Sequence, residues 1–437
     1  MGFCLFCKDR LVTNGMYRMN KKQQAIFSIL VACILSACSA TDEQASAPAV
    51  KEKVPNSVTY SKKIDWPENN AKFCDAALDH ATIQYDGFRK AYTDPKKVPR
   101  SYSQGKPRLE PMLGWTTGFV AGSFWNLYEH NQNQSWLDTA TEWTIALEKN
   151  QFNRKTHDIG FIIYDSFGNG LRLTDNKEYE TVIVNAAKTL MERYNPKIGV
   201  TYSWSWGTWE FPVIIDNMMN LELLYRASEI TGDPVYRNAA ISHATVTMEH
   251  HFRDDYSSFH LVNYNRDTGK PNWKQTFQGI ADDSSWSRGQ GWGLYGYTMS
   301  YRFTQDEKFL EHARGIANYI LSHPNMPDDL VPYFDYDAPK HEGTTLYRDS
   351  SAASLVASAL LELSTFVEGA ESERYYDAAM KMLRTLSSPA YLADIGENGH
   401  FLLKQATGNF PANDELNSAL NYGDYYYLQA LNRCKAI

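Results

Sequence analysis

From residue 72 onward the apolar positions recur every three or four residues, the period of an amphipathic helix. Ile214, Met218, Leu221 and Tyr225 fall at i, i+4, i+7 and i+11, one apolar stripe, and Pro212 suits a first helical turn. The same reading predicts helices at 72–92, 115–131, 134–150, 158–173, 177–194, 212–231, 234–251, 286–304, 307–322, 350–367, 371–386 and 422–435. A weak repeat accompanies them: a polar turn, an aromatic, then a small or apolar residue. Trp136 with Ala140, Tyr179 with Ile183, Tyr236 with Ala239, Phe309 with Ala313 and Tyr375 with Ala379 each open an odd-numbered helix. Tight turns between alternating helices make antiparallel hairpins. Six hairpins can close into an all-α (α/α)6 barrel, inner helices ringed by outer ones.

The N-terminus breaks this pattern. Lys21 and Lys22 precede an apolar run from Ala25 to Leu35, too short to span a bilayer comfortably. Leu35-Ser36-Ala37-Cys38 then resembles a bacterial lipobox, in which the cysteine is lipidated. Residues 1–38 are therefore expected to be a signal peptide, with the true start at Met19 or Met16. Residues 39–60 are small, polar and Pro-containing, a flexible tether. The catalytic domain is expected over 61–437.

Composition adds three constraints. The 28 Tyr, 20 Phe and 11 Trp favour a large core with aromatic-lined clefts. The net charge of -8 argues against a nucleic-acid partner. Of six cysteines, Cys38, Cys74 and Cys434 would survive processing. Cys74 and Cys434 fall in the first and last helices. Closure of the ring would make them neighbours, either as a disulfide or as two free thiols. No metal or cofactor is expected: His250 and His251 are adjacent rather than at i, i+4, HExxH is absent, and no glycine-rich phosphate loop follows a strand.

The candidate chemistry sits at helix starts. Trp286, Arg288 and Trp292 lie within seven residues. Two aromatic faces and a permanent cation suit an anionic sugar, and Gly289, Gly291 and Gly293 would let a ligand approach the backbone. Each feature also has an ordinary reading: buried tryptophans in a core, Asp158 as an N-cap, Asp216 as a first-turn acid. Position favours chemistry. Trp115, His157 with Asp158, Asp216, Trp286, Asp349 and Tyr422 to Asp424 all open even-numbered helices. In a hairpin ring those helix starts gather at one mouth.

Taken together, the segments GWTTGF, HDIGF, FPVIIDNMMNLELL, FHLVNY, QGIADDSSWSRGQGW, RDSSAAS and NYGDYYYLQAL resemble the unsaturated glucuronyl hydrolases, glycoside hydrolase family 88. The resemblance runs from about residue 72 to the C-terminus. It implies the same barrel, Asp216 as general acid/base and Asp158 as a second essential carboxylate. It implies that Trp115, His157, His260, Gln278, Trp286, Arg288 and Trp292 hold the sugar with no cofactor, together with one tryptophan of YSWSWGTWE, where the altered spacing favours Trp204 over Trp206 and Trp209. The substrate would be an unsaturated uronate-terminated oligosaccharide, and contact with a membrane would be through the lipid anchor alone. The segment Ala406–Asn417 aligns with the family's substrate-selective loop. It lacks the Lys and Ser pattern of members that prefer sulfated substrates. The rival readings are an unsaturated rhamnogalacturonyl hydrolase, a sugar epimerase and a non-catalytic glycan-binding lipoprotein.

Overall fold

Between one helix and the next, the chain repeats one joint. Gln132, Gly232 and Gln305 each adopt a left-handed conformation, with φ of 53°, 69° and 55°. The residue after each, Asn133, Asp233 or Asp306, then caps the following helix by accepting a backbone N–H with its side chain. A left-handed residue ends a helix and an Asx cap starts one, so the pair reverses the chain in two residues. This is the physical content of the weak sequence repeat.

The computed structural model describes residues 64–437. The expected signal peptide, Cys38 and the whole tether lie outside them. Among the described residues the α-helices are α1 Asn70–Ala91, α2 Thr117–Asn131, α3 Gln134–Ala146, α4 Asn169–Thr174, α5 Glu178–Met191, α6 Leu221–Thr231, α7 Pro234–His250, α8 Ser287–Thr304, α9 Glu307–Ser322, α10 Ser350–Ser364, α11 Gly369–Leu386 and α12 Asn421–Ala436. A π-helix, Gly160–Gly168, runs directly into α4. The even helices form a closed ring in the order α2, α4 with its leading π-helix, α6, α8, α10, α12 and back to α2, the π-helix making the contact with α6. Each of α3, α7, α9 and α11 packs outside the inner helix of its own hairpin joint, and α1 covers α12 and α2. The inner helices are buried nearly all round: Thr117 to Leu127 in α2 and Ser287 to Ser300 in α8 are shielded throughout.

The glycines of α8 serve this packing rather than a ligand, which corrects the expectation for them. A Cβ on Gly291 would stand 2.8 Å from Leu355 of α10, and one on Gly293 would stand 2.9 Å from Phe252. Gly289 is closed off by Trp286 in the same way, at 2.7 Å.

Three small antiparallel sheets fringe the ring. β1 Lys97–Ser103 pairs with β2 Lys106–Pro111 and with β8 Ala419–Leu420. β3 Tyr194–Asn195 pairs with β4 Val200–Thr201, and β5 Pro212–Ile214 joins β6 Leu261–Tyr264 and β7 Pro271–Gln275. Here the sixth predicted helix needs correction. Pro212 opens β5, not a helical turn. Its carbonyl accepts from Ser203 N at 2.8 Å, and Ile214 N donates to Ser203 Oγ at 2.9 Å. Held extended on both sides, the chain turns helical only after Ile214. A 3-10 helix, Ile215–Asn220, carries Asp216 and leads into α6.

Cys74 of α1 and Cys434 of α12 form a disulfide, with Cα atoms 6.3 Å apart and 360 residues between them. It fastens the first helix to the last. Replacing Cys74 with Ser is expected to lower stability by about 2–5 kcal/mol. The check is urea unfolding of both proteins with and without reductant; a midpoint indifferent to both changes would contradict the crosslink.

Candidate active site

The starts of the inner helices converge on one cleft of about 390 Å³. His157, Asp158 and Asp216 lie at its inner end, and Trp115, Trp204 and Tyr422 stand on its walls. Lys155, Trp206 and Phe277 reach it at the more open rim.

Asn220 ties the two carboxylate segments together. Its Oδ1 accepts from Gly160 N at 2.7 Å and Phe161 N at 3.2 Å, capping the π-helix that follows Asp158. Gly160 has to be glycine, since a Cβ would lie 2.6 Å from Asn220 Cα. Asn217 anchors the same 3-10 helix from its other side, donating to Thr201 O and accepting from Ser203 Oγ, both at 2.8 Å.

Asp216 is almost fully buried, and its Oδ2 has no hydrogen-bond partner. Burial raises its pKa first, and the nearby charge of Asp158 raises it further. The positive charge of Arg288 opposes both, and the result is about 7. The Trp292 indole also favours the charged form, although it makes no close hydrogen bond. Asp158 is held by Thr156, whose hydroxyl donates to its Oδ2 at 3.0 Å. His157 Nε2 lies 3.5 Å from the other oxygen, and burial lowers the pKa of that imidazole.

His260, the residue before β6, faces Asp216. Its Nδ1 accepts from Phe277 N at 2.9 Å and Gln278 N at 3.1 Å. That network assigns the ring proton to Nε2, which lies 3.6 Å from Asp216 Oδ2. Burial, followed by the charge of Arg288, depresses its pKa to about 3, so the ring is a neutral donor. A carboxyl titrating near neutrality, a second carboxylate and a neutral N–H donor suit proton transfer to and from a bound substrate.

Residues 92–436 match the profile of Glycosyl Hydrolase Family 88. The chain belongs to this family. It is similar to an unsaturated glucuronyl hydrolase of Formosa agariphila, at 46% identity over 79% of this chain and 87% of that protein. An unsaturated chondroitin disaccharide hydrolase of Streptococcus pyogenes serotype M1 is 31% identical over 84% of this chain and 91% of its own. Among solved structures, an unsaturated glucuronyl hydrolase specific for heparin superposes with a TM-score of 0.80. It is 44% identical, covering 83% of this chain and 97% of that one. The (α/α)6 barrel and a glycoside hydrolase activity follow for this family 88 member.

The structure separates the expected sugar-holding residues into two groups. Trp115, His157, Trp204 and Gln278 line the cleft. Trp286, Arg288 and Trp292, like His260, are almost fully buried beside it. Arg288 is 1% exposed. It donates to Asp349 Oδ2 at 2.5 Å and to Thr407 O and Gly408 O at 2.6 Å each. Its guanidinium lies over Trp286 and Tyr422, and its Nε has no partner. Trp286 packs on His260 with ring centroids 4.7 Å apart, and Trp292 packs on Phe161 at 5.1 Å.

Sequence reasoning missed Arg100, Lys155 and Phe277 as cleft residues, and of its three candidate tryptophans both Trp204 and Trp206 line the cleft. Arg100 binds Glu415 at 2.9 Å and Glu110 at 3.4 Å. Lys155 makes no ion pair among the described residues. Its place two residues before His157 was the available signal. Asp424 shows that a raised pKa alone does not make a site. It too rises to about 7 through burial, but its oxygens accept from Leu402 N, Leu403 N and Tyr85 Oη, away from the cleft.

The family 88 reaction needs a protonated donor, so kcat/KM is expected to fall as pH rises through about 7, where Asp216 ionises. Asp158→Asn removes a like charge, lowers the Asp216 pKa and should move that limb toward lower pH. Residual activity of the variant across pH 5–9, roughly the range spanned by such profiles, reads the shift. An unmoved limb would disconnect the two carboxyls.

Proposed function

We propose that this enzyme removes the 4,5-unsaturated uronic acid from the non-reducing end of lyase-generated oligosaccharides by hydrating its C4=C5 bond, with Asp216 as the proton donor and acceptor. The observation that carries the reading is Asp216 itself: a buried carboxyl with a pKa of about 7 and an unpartnered oxygen, beside Asp158 and opposite the His260 N–H. A group that must give and then take one proton works best when its pKa is near the working pH.

Asp216 protonates C4, and the electron-poor C5 takes a water. The water's proton passes to the Asp216 carboxylate, which regenerates the acid. The new C5 hemiketal opens as the bond from C5 to the ring oxygen breaks. That oxygen becomes a hydroxyl on C1, and collapse of the resulting hemiacetal expels the neighbouring sugar. Asp158 keeps the Asp216 pKa high, and His260 directs its N–H at the same carboxyl. Trp115 and Trp204 supply apolar faces for the sugars, and His157 and Gln278 supply polar groups. With Arg288 tied to Asp349, its charge reaches the substrate as a field rather than as a contact. Lys155 is the exposed cation that an acidic substrate meets on entry.

The test follows ultraviolet absorbance of the unsaturated uronate in lyase-derived disaccharides of heparin, chondroitin, hyaluronan and ulvan. Heparin belongs in the panel because of the 44% identical relative specific for it, although segment 406–417 lacks the Lys and Ser pattern. The expected result is loss of absorbance together with release of the partner sugar. Asp216→Asn should keep the fold and lose turnover by about 10²–10⁴-fold. Near-normal turnover in that variant would remove Asp216 from the mechanism.

The envelope location is part of the same proposal. Among the described residues no helix is long and apolar enough to cross a membrane. The lipobox places the anchor at Cys38, ahead of the tether. Expression in a bacterial host should give membrane-bound protein, and Cys38→Ser should move it to the soluble fraction. A wild-type protein already soluble would end the lipoprotein reading.

A further inference from the structure

On the cleft wall stands an aromatic group of which the hydration reading uses only Trp204. Trp204 and Trp206 stack at 4.9 Å with their planes 12° apart. Trp209 sets its ring edge-on to both, at 5.5 Å from each. Phe277 completes the group, 5.5 Å from Trp204 and 5.8 Å from Trp206. The group faces water: Trp206 is 55% exposed and Phe277 38%. Clustered aromatic surface left in water is uncommon in a folded protein and marks a contact.

The cluster is held at a fixed distance from the reacting carboxyl. Ser203, directly before Trp204, donates its hydroxyl to Asn217, the neighbour of Asp216. Phe277 N donates to the same His260 nitrogen that sets the proton facing Asp216. Gly207, at a φ of 83°, makes the turn that brings Trp209 back under the others, and a Cβ there would meet the Trp209 ring at 2.4 Å. The platform is therefore preorganised against the same two segments that carry the chemistry.

We propose that Trp206 and Phe277 form a further sugar subsite, beyond the sugar that is released, so that unsaturated oligosaccharides longer than a disaccharide are the preferred substrates. This rests on the hydrolase reading above. Trp204, Trp206 and Phe277 line the same cleft as Asp216. Along it exposure climbs from 6% at Asp216 to 55% at Trp206, so a chain with its unsaturated end at Asp216 has its remaining sugars directed over the platform. Pyranose rings offer flat apolar C–H faces to indoles, and Lys155 on the same cleft attracts acidic sugars. A protein partner would find only a narrow rim, continuous with a polar cleft.

The experiment is steady-state kinetics on unsaturated disaccharides and tetrasaccharides prepared from heparin and from hyaluronan. Wild-type kcat/KM should be roughly two- to tenfold higher on the tetrasaccharide, the range one aromatic contact supplies. Trp206→Ala should abolish that ratio by lowering kcat/KM on the tetrasaccharide far more than on the disaccharide, while Trp206→Phe should restore part of it. Circular dichroism confirms folding, which an exposed side chain permits. Equal wild-type rates on both lengths would overturn the subsite. An equal loss on both lengths in Trp206→Ala would also overturn it, by making Trp206 a prop for Trp204. Unchanged double bonds in every substrate would instead sink the hydrolase reading and the subsite with it.

Discussion

A buried positive charge organises the mouth of this barrel. Arg288 cannot be neutralised and lies out of reach of water, so its surroundings have to compensate its charge, and they engage both terminal nitrogens while Nε is left without a partner. Asp349 supplies the opposite charge from the start of α10, and Thr407 and Gly408 supply carbonyls from segment 406–417. Trp286 and Tyr422 sandwich the guanidinium from α8 and α12. One side chain thereby fixes the mutual positions of three inner helix starts and the loop between two of them. Losing one partner of such a pair costs about 3–5 kcal/mol, because the remaining charge is stranded. The pair thus demands one geometry, whatever it adds to net stability.

The same charge sets the balance at Asp216. Burial and Asp158 push the carboxyl toward the neutral form, and Arg288 pulls the other way. The outcome near neutrality needs all three. Without Arg288 the carboxyl would shift further toward the neutral form, and without Asp158 it would shift toward the charged one. His260 adds no charge to this balance, because its own burial keeps it neutral. The same network fixes its remaining proton on the face toward Asp216.

Hairpin order was legible in the sequence because it is local. Periodicity, an Asx cap and a left-handed joint all lie within a few residues of each helix end, and the mouth follows from their alternation. Pro212 to Ile214 was not legible, because its strand partner lies about fifty residues downstream at Leu261 to Asn263 and its other tether is Ser203. Apolar β5 followed by a 3-10 turn has the same stripe as a helix. The partners of Arg288 were hidden for a related reason. Sequence shows that a cation is present and not that Asp349, sixty-one residues away, pairs with it. The burial of Trp286 and Trp292 was hidden likewise, since an exposed indole and a buried one can have the same neighbours in the chain. Helix order put Asp158 and Asp216 at one mouth, His260 was legible only through the family resemblance, and the structure brings the three together.

The bond between Cys74 and Cys434 turns nearly the whole barrel into a covalent loop. A protease that cuts one exposed connection, such as the turn at Gln104 and Gly105 between β1 and β2, produces two polypeptides and still one molecule. Every helix of the inner ring remains linked to the rest through the crosslink, and the cut ends cannot diffuse apart. The barrel is thereby indifferent to where its chain begins and ends within that span. Its arrangement of helices belongs to the circle, and the break between residue 434 and residue 74 is only the place where the polypeptide happens to be open.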